Sequence, residues 1–208
     1  MTSRIDVAGL PFALIPTPPD AWLHDAEQGA VVVEAGPHTD LYVNPGGADS
    51  ADAESMLNAA TFLGTPPPGD FQLSCRVQVE FGSQFDAGVL LLWLDAQNWA
   101  KFCFEYSPAS QPMVVSVVTR GLSDDANAFV VAEPVIWLRV SRLAGVYAYH
   151  ASTDAQDWQL IRVFSLGQDH AGHQIGFEAQ SPTGDGCRVT FDQISFSRER
   201  LTDLRDGS

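Results

Sequence analysis

The sequence predicts an all-β fold, a sandwich of two antiparallel sheets, and three observations predict it. Apolar and polar residues alternate with a period of two in several segments, the mark of strands with one buried face. Such segments recur roughly every ten residues with turn residues between them, the spacing of sandwiches. Helical periodicity is almost absent and is confined to a short turn expected over 198–205.

The elements follow in order. Phe71, Leu73, Cys75, Val77 and Val79 alternate with Gln72, Ser74, Arg76, Gln78 and Glu80, giving one apolar and one polar face. Residues 85–94 are almost all apolar and are bounded by Gly82 and Asp95. A continuous apolar run this short suits a central strand covered on both faces. After a tight turn at 95–98 comes a strand over 99–106 whose two faces differ. Ala100, Phe102, Phe104 and Tyr106 form an apolar face, while Trp99, Lys101, Cys103 and Glu105 form the other. Further strands are expected at 113–119, 135–142, 146–151, 158–164, 174–179 and 188–196. In the last, apolar parity switches between Phe191 and Ile194, which predicts a bulge near Asp192. The stretch 45–69 is rich in Gly, Ala, Asp and Pro and reads as a long surface loop around a short strand at 57–63. No internal repeat or linker divides the chain, so residues 1–208 are expected to form a single domain.

Composition narrows the function. A chain of 208 residues with 45% hydrophobic and 18% charged residues is globular. Eleven basic against 26 acidic residues leave a net charge of −15. That surface repels phosphate backbones and anionic bilayers, so no nucleic-acid and no membrane partner is expected. Neutral ligands remain, and the acidity also serves solubility. Three cysteines at wide spacing supply neither a disulfide framework nor a CxxC metal pattern, and Cys75 and Cys103 read as buried thiols. The segment MTSRIDVAGLPF lacks the apolar run of a signal peptide, and no stretch approaches ~20 apolar residues, so the expected location is cytoplasmic. No GxSxG, HExxH, P-loop or GxGxxG motif is present, and no cofactor is expected. Asp49, Asp52 and Glu54 lack the glycine and spacing of a calcium loop. The pair His170 and His173 lies in a hairpin loop and reads as solvated, so no metal is expected.

The motifs HTDLYVNP (38–45), GDFQLSCRV (69–77), FDAGVLLLWLDAQNWAKFCFEYS (85–107), VVTRGLSD (117–124) and QIGFEAQSP (174–182) follow one another in an order that resembles a known family. It is the domain of unknown function 1349, related to the yeast regulation-of-enolase protein, with the concanavalin A-like jelly-roll fold of lectins and glucanases. The resemblance spans about residues 20–196. It implies two antiparallel sheets, one of them concave, with glycans commonly bound on the concave face. Asp125 stands where the family usually has Trp in a Ser-Asp-Trp motif, and Ala155 stands where the related hairpin motif in ASTDAQDW (151–158) usually has Gly.

Lys101 and Glu105 lie on one face of a central strand, ~13 Å apart along it, so each needs partners from elsewhere. Charges there are costly unless paired or facing a wet groove. They are expected on the groove floor, with Trp99 as an exposed platform for a sugar ring. Asp40, Asp86, Thr119, Ser123, Asp124 and Gln180 complete the expected ligand-binding set. For Asp40 and Asp86 a turn or capping role stands beside this reading, and Ser123 and Asp124 also read as turn-formers. The expected function is binding of a glycan or small polyol. A glycosidase needs two carboxylates ~5–9.5 Å apart, and Glu105 with Glu178 or Asp40 would supply them, with Lys101 as a further catalytic candidate. Against it, the tight acidic cluster of laminarinase-type enzymes is missing around Glu105. A third reading is a regulatory domain with a protein partner, which expects an exposed apolar patch.

Overall fold

The computed structural model describes residues 4–46, 54–167 and 172–208. Among the described residues sixteen strands run in chain order: β1 (Ile15–Thr17), β2 (Trp22–Asp25), β3 (Ala30–Ala35), β4 (Leu41–Tyr42), β5 (Met56–Leu57), β6 (Ala60–Gly64), β7 (Phe71–Glu80), β8 (Ala87–Asp95), β9 (Asn98–Tyr106), β10 (Pro112–Arg120), β11 (Leu122–Val130), β12 (Val135–Leu143), β13 (Val146–Ser152), β14 (Gln159–Phe164), β15 (Gln174–Gln180) and β16 (Cys187–Ser197). They build two antiparallel seven-stranded sheets. The first has the order β1-β6-β15-β8-β9-β10-β11 and the second β14-β13-β12-β7-β16-β3-β2. A separate ribbon pairs β4 with β5.

The alternation of β7 shows why the sheets stack. Phe71, Leu73, Cys75, Val77 and Val79 are buried, and the residues between them lie toward solvent. They meet Leu90, Leu92, Ala100, Phe102, Phe104, Ile175 and Phe177 of the facing sheet in one apolar core. Aromatic rings interlock there: Phe102 stacks on Tyr149 with centroids 4.5 Å apart, and Phe177 tilts against Phe191 at 4.7 Å. Burying rings of this size contributes most of the attraction between the sheets. The expected bulge is present as a register break between Asp192 and Ser195, with Gln193 at φ 48.

Two expectations are corrected. Residues 198–205 form no helix. Their backbone is drawn onto the outer face of the second sheet, where His150 Nε2 meets the Leu204 carbonyl at 2.9 Å and Arg139 Nη2 donates to the Gly207 carbonyl at 2.6 Å. Ser123 and Asp124 do not turn the chain. The reversal is made by Gly121 at φ 77, and both residues belong to β11, an edge strand held by its pairing to β10. β11 is mostly exposed on both faces, so its sequence carries little apolar alternation. Strands β1 to β3 lie ahead of the segments read from sequence. Among the described residues no helix is long and apolar enough to cross a membrane.

Candidate functional site

The site is built on the outer face of the first sheet, the face away from the core. Register fixes which residues share it. Lys101 of β9 lies between Leu91 of β8 and Val117 of β10, and Val117 is followed by Asp125 of β11. Two residues along, Cys103 is flanked by Val89 and Val115, with Glu178 of β15 beyond Val89. Two further along, Glu105 is flanked by Ala87 and Met113, with Gln180 beyond Ala87.

A strap of chain crosses this face diagonally. At one end Thr39 and Ser181 exchange backbone hydrogen bonds of 3.3 and 3.2 Å, just past the end of β15. At the other end the Ser123 amide donates to the Val43 carbonyl and the Val43 amide donates to Ser123 Oγ, both at 2.9 Å, at the start of β11. Between these anchors β4 pairs with β5, and side chains alternate to the two sides as strand geometry requires. Leu41 and Leu57 face one cavity, lined also by Thr17, Thr61, Leu63, Trp93 and Gln174, of about 330 Å³. Tyr42 and Met56 face the other, of about 380 Å³, whose floor is Lys101, Glu105, Met113, Val115, Val117, Asp125 and Asn127. Phe85, Pro108, Pro182 and Thr183 close its far side, with Gln180 and Asp40 at the level of the floor and Glu54 on the rim. Phe85 is held at φ 68, which a bulky residue rarely adopts; its amide donates to the Tyr106 carbonyl and its carbonyl accepts from Gln180 Nε2 at 3.1 Å.

Lys101 is the centre of the charged cavity. It is 2% exposed, and its Nζ donates to Asp40 Oδ1 and to Gln180 Oε1, each at 2.7 Å. Burial works against its charge, but the Asp40 and Glu178 carboxylates and the hydrogen bond to Asp40 outweigh it, so its pKa is raised and it stays an ammonium. Glu105 opens on the cavity and makes no hydrogen bond or ion pair among the described residues. Burial pushes its carboxyl up to about 8, with Lys101 opposing and Asp40 and Asp125 adding to the rise. Glu178 is 0% exposed, and both of its oxygens lack a hydrogen-bond partner among the described residues. Burial pushes it up to about 8 as well, against the pull of Lys101. Asp125, on the exposed edge strand, is raised by partial desolvation on its cavity side, with Lys101 opposing and Asp40 and Asp124 adding to the rise. The cavity thus holds one ammonium matched to Asp40, with the Glu105 carboxyl neutral beside it near pH 7.

The structure brings together Asp40, Lys101, Glu105 and Gln180 from the expected set, and it separates the others. Trp99 is corrected: it is 0% exposed, packed under the strap with Leu41, Val89, Leu91 and Cys103, and offers no face to a ligand. The Lys101 Nζ lies over its ring, 5.9 Å from the ring centre. Asp86 is turned away from the cavity. Its Oδ2 accepts from the Gly82 and Ser83 amides at 2.9 and 2.8 Å, and its Oδ1 accepts from Ser181 Oγ at 2.6 Å. Thr119 and Ser123 share a buried hydroxyl contact of 2.9 Å and hold the far anchor of the strap. Asp124 points to the opposite side of β11, where it pairs with Arg162 at 3.1 Å. Glu178 lies beneath the strap and does not line the cavity.

Sequence reasoning missed Asp125, Asn127, Glu54 and Met113 as lining residues. Asp125 and Asn127 had one signal, their parity with Ser123 on a strand that went unread. Met113 follows from its place opposite Glu105. Asp49, Asp52 and His170 lie outside the described residues. Among the described residues no group of three or more His, Cys, Asp or Glu is placed to hold a metal ion.

Two seven-stranded antiparallel sheets with a bridged cleft on one outer face define a concanavalin A-like jelly-roll sandwich. The chain belongs to the family described as "Protein of unknown function (DUF1349)", whose model matches residues 17–199. No curated protein matches it. Among solved structures it is similar to a functionally unknown protein from Saccharomyces cerevisiae, with a TM-score of 0.76 and 25% identity over 88% of this chain and 94% of that one. It is also similar to the GH43 protein BlXynB from Bacillus licheniformis, with a TM-score of 0.68 and 14% identity over 94% of this chain. A xylan beta-1,4-xylosidase from Bacillus halodurans gives a TM-score of 0.66 and 11% identity over 85% of this chain. The chain spans only 38% and 34% of the lengths of those two proteins, and the likeness to them is one of fold.

Proposed function

We propose that the chain binds a neutral glycan residue or a small polyol in the charged cavity. One observation carries the reading: the Lys101–Asp40–Gln180 network and the open Glu105 carboxyl converge on a floor otherwise made of Met113, Val115 and Val117. Ligand sites commonly combine a few placed polar groups with apolar walls in this way. The electrostatics suit a neutral ligand. Lys101 is already compensated by Asp40, so an anionic ligand finds no free cation there. A sugar hydroxyl both donates and accepts, and so complements a protonated Glu105, the ammonium and the Gln180 amide together.

Hydrolysis finds less support. Glu105 and Glu178 are two strands apart and two residues out of step, which puts their backbones roughly 12 Å apart at ~4.8 Å per strand and ~3.3 Å per residue. Glu178 is also sealed from the cavity. For a protein partner, the exposed large apolar side chains among the described residues lie on separate elements: Leu23 on β2, Leu57 on β5, Leu122 and Val130 on β11, and Val146 and Val163 on β13 and β14.

The test is a thermal-shift and calorimetric screen of neutral saccharides and polyols against the wild type, Glu105→Ala and Lys101→Met. Xylose-based saccharides come first, because xylan is named for one of the structural neighbours. A ligand that stabilises the wild type should bind Glu105→Ala about tenfold more weakly, the value of one hydrogen bond near 1.4 kcal/mol. If both variants bind every ligand as the wild type does, the cavity is not the site.

A further inference from the structure

The strap decides how much of a ligand the cavity admits. On its far side lies the cavity lined by Leu41 and Leu57, and among the described residues the ground between the two is filled. Leu41 is 3% exposed and Val89, Trp99 and Cys103 are 0% exposed there. The strap cannot lift at one end alone without breaking a pair of hydrogen bonds, to Ser181 on one side and to Ser123 on the other. Both anchors are themselves braced inside the sheet, by Asp86 on Ser181 and by Thr119 on Ser123. Opposite the strap, Phe85, Pro108 and Pro182 close the cavity. Among the described residues the remaining side runs out over edge strand β11, where Asp125 and Asn127 are exposed. The charged network sits toward the closed end: Gln180 on β15 lies four strands from β11, and the Lys101 ammonium reaches it and the strap's Asp40.

We infer that the cavity is an end-on site, which takes the terminal residue of a saccharide chain, or a free polyol, and rejects an internal stretch of the polymer. The inference rests on the saccharide reading above and adds to it the length and the direction of the ligand: the chain end meets Lys101, and the remainder leaves over β11. An open sheet face would instead hold several consecutive residues of a polymer and gain affinity with each one.

The deciding experiment is isothermal titration of the wild-type chain with methyl xyloside, xylobiose, xylotriose and xylohexaose, and with the matching glucose and arabinose series. The end-on arrangement gives dissociation constants for the disaccharide and hexasaccharide within about threefold of one another, and one protein bound per chain at every length. A dissociation constant that falls by about tenfold or more from disaccharide to hexasaccharide, with several proteins on each long chain, would overturn the end-on inference while leaving the saccharide reading in place. No binding to any member of the three series would remove the saccharide reading and this inference with it.

Discussion

The sealed carboxyl of Glu178 makes a strong prediction about pH. It lies beneath the strap with no hydrogen-bond partner among the described residues, and burial raises its pKa from an ordinary 4.5 to about 8. In the unfolded chain it ionises near its ordinary value. Below about pH 4.5 the group is therefore neutral in both states and adds nothing to the pH dependence of stability. As pH rises from there the unfolded chain loses the proton while the folded chain keeps it, so folding must take up a proton and stability falls. The loss is complete once pH passes about 8. A gap from 4.5 to about 8, at ~1.4 kcal/mol per pH unit, sets a ceiling of about 5 kcal/mol. Glu178→Gln keeps the shape and removes the titration. Urea unfolding of both proteins at about pH 5, 7 and 9 reads the difference as a shift in midpoint. The variant should match the wild type, within a constant offset, at pH 5, and exceed it progressively toward pH 9. An offset that stays the same at all three pH values would refute the idea that Glu178 is held protonated in the folded chain.

Two smaller predictions come from the backbone and the thiols. Ala155 sits at φ 63, where a side chain costs ~1–2 kcal/mol, while a glycine costs ~0.4–1 kcal/mol through the freedom it adds to the unfolded chain. Ala155→Gly should therefore raise the melting temperature by a few degrees, and a fall would show that the turn is not strained. Cys75, Cys103 and Cys187 are all buried, and burial raises all three thiols, Cys187 to about 12. Ellman's reagent at neutral pH should find no reactive thiol in the folded protein and three in urea; a fast-reacting thiol in the folded state would contradict the packing around it.

Much of the fold was legible because strand signals are local. Alternation in 71–80 marks the buried face of β7 whatever the strand pairs with, and the parity switch at Phe191 and Ile194 marks a bulge from within one strand. β11 was not legible, because an edge strand exposed on both faces needs no apolar alternation and owes its form to β10. Likewise 198–205 carries a helical pattern that loses to contacts with Arg139 and His150, residues some fifty to seventy positions away.

For the site, the sequence by itself determined which residues of β9 share a face: Lys101 and Glu105 were placed together on one, and away from the core, by period-two geometry alone. Only the tertiary structure decided which parts of that face see solvent. A strap from 39–44, sixty residues earlier in the chain, lies across it. The strap buries Trp99, anchors on Ser181 and Ser123, which Asp86 and Thr119 brace, and supplies Asp40 to Lys101. Alternation records which side of a sheet a residue occupies, but whether that side is covered depends on a distant segment, and the energy that holds it there is spread over backbone hydrogen bonds that leave no pattern in the residues they join.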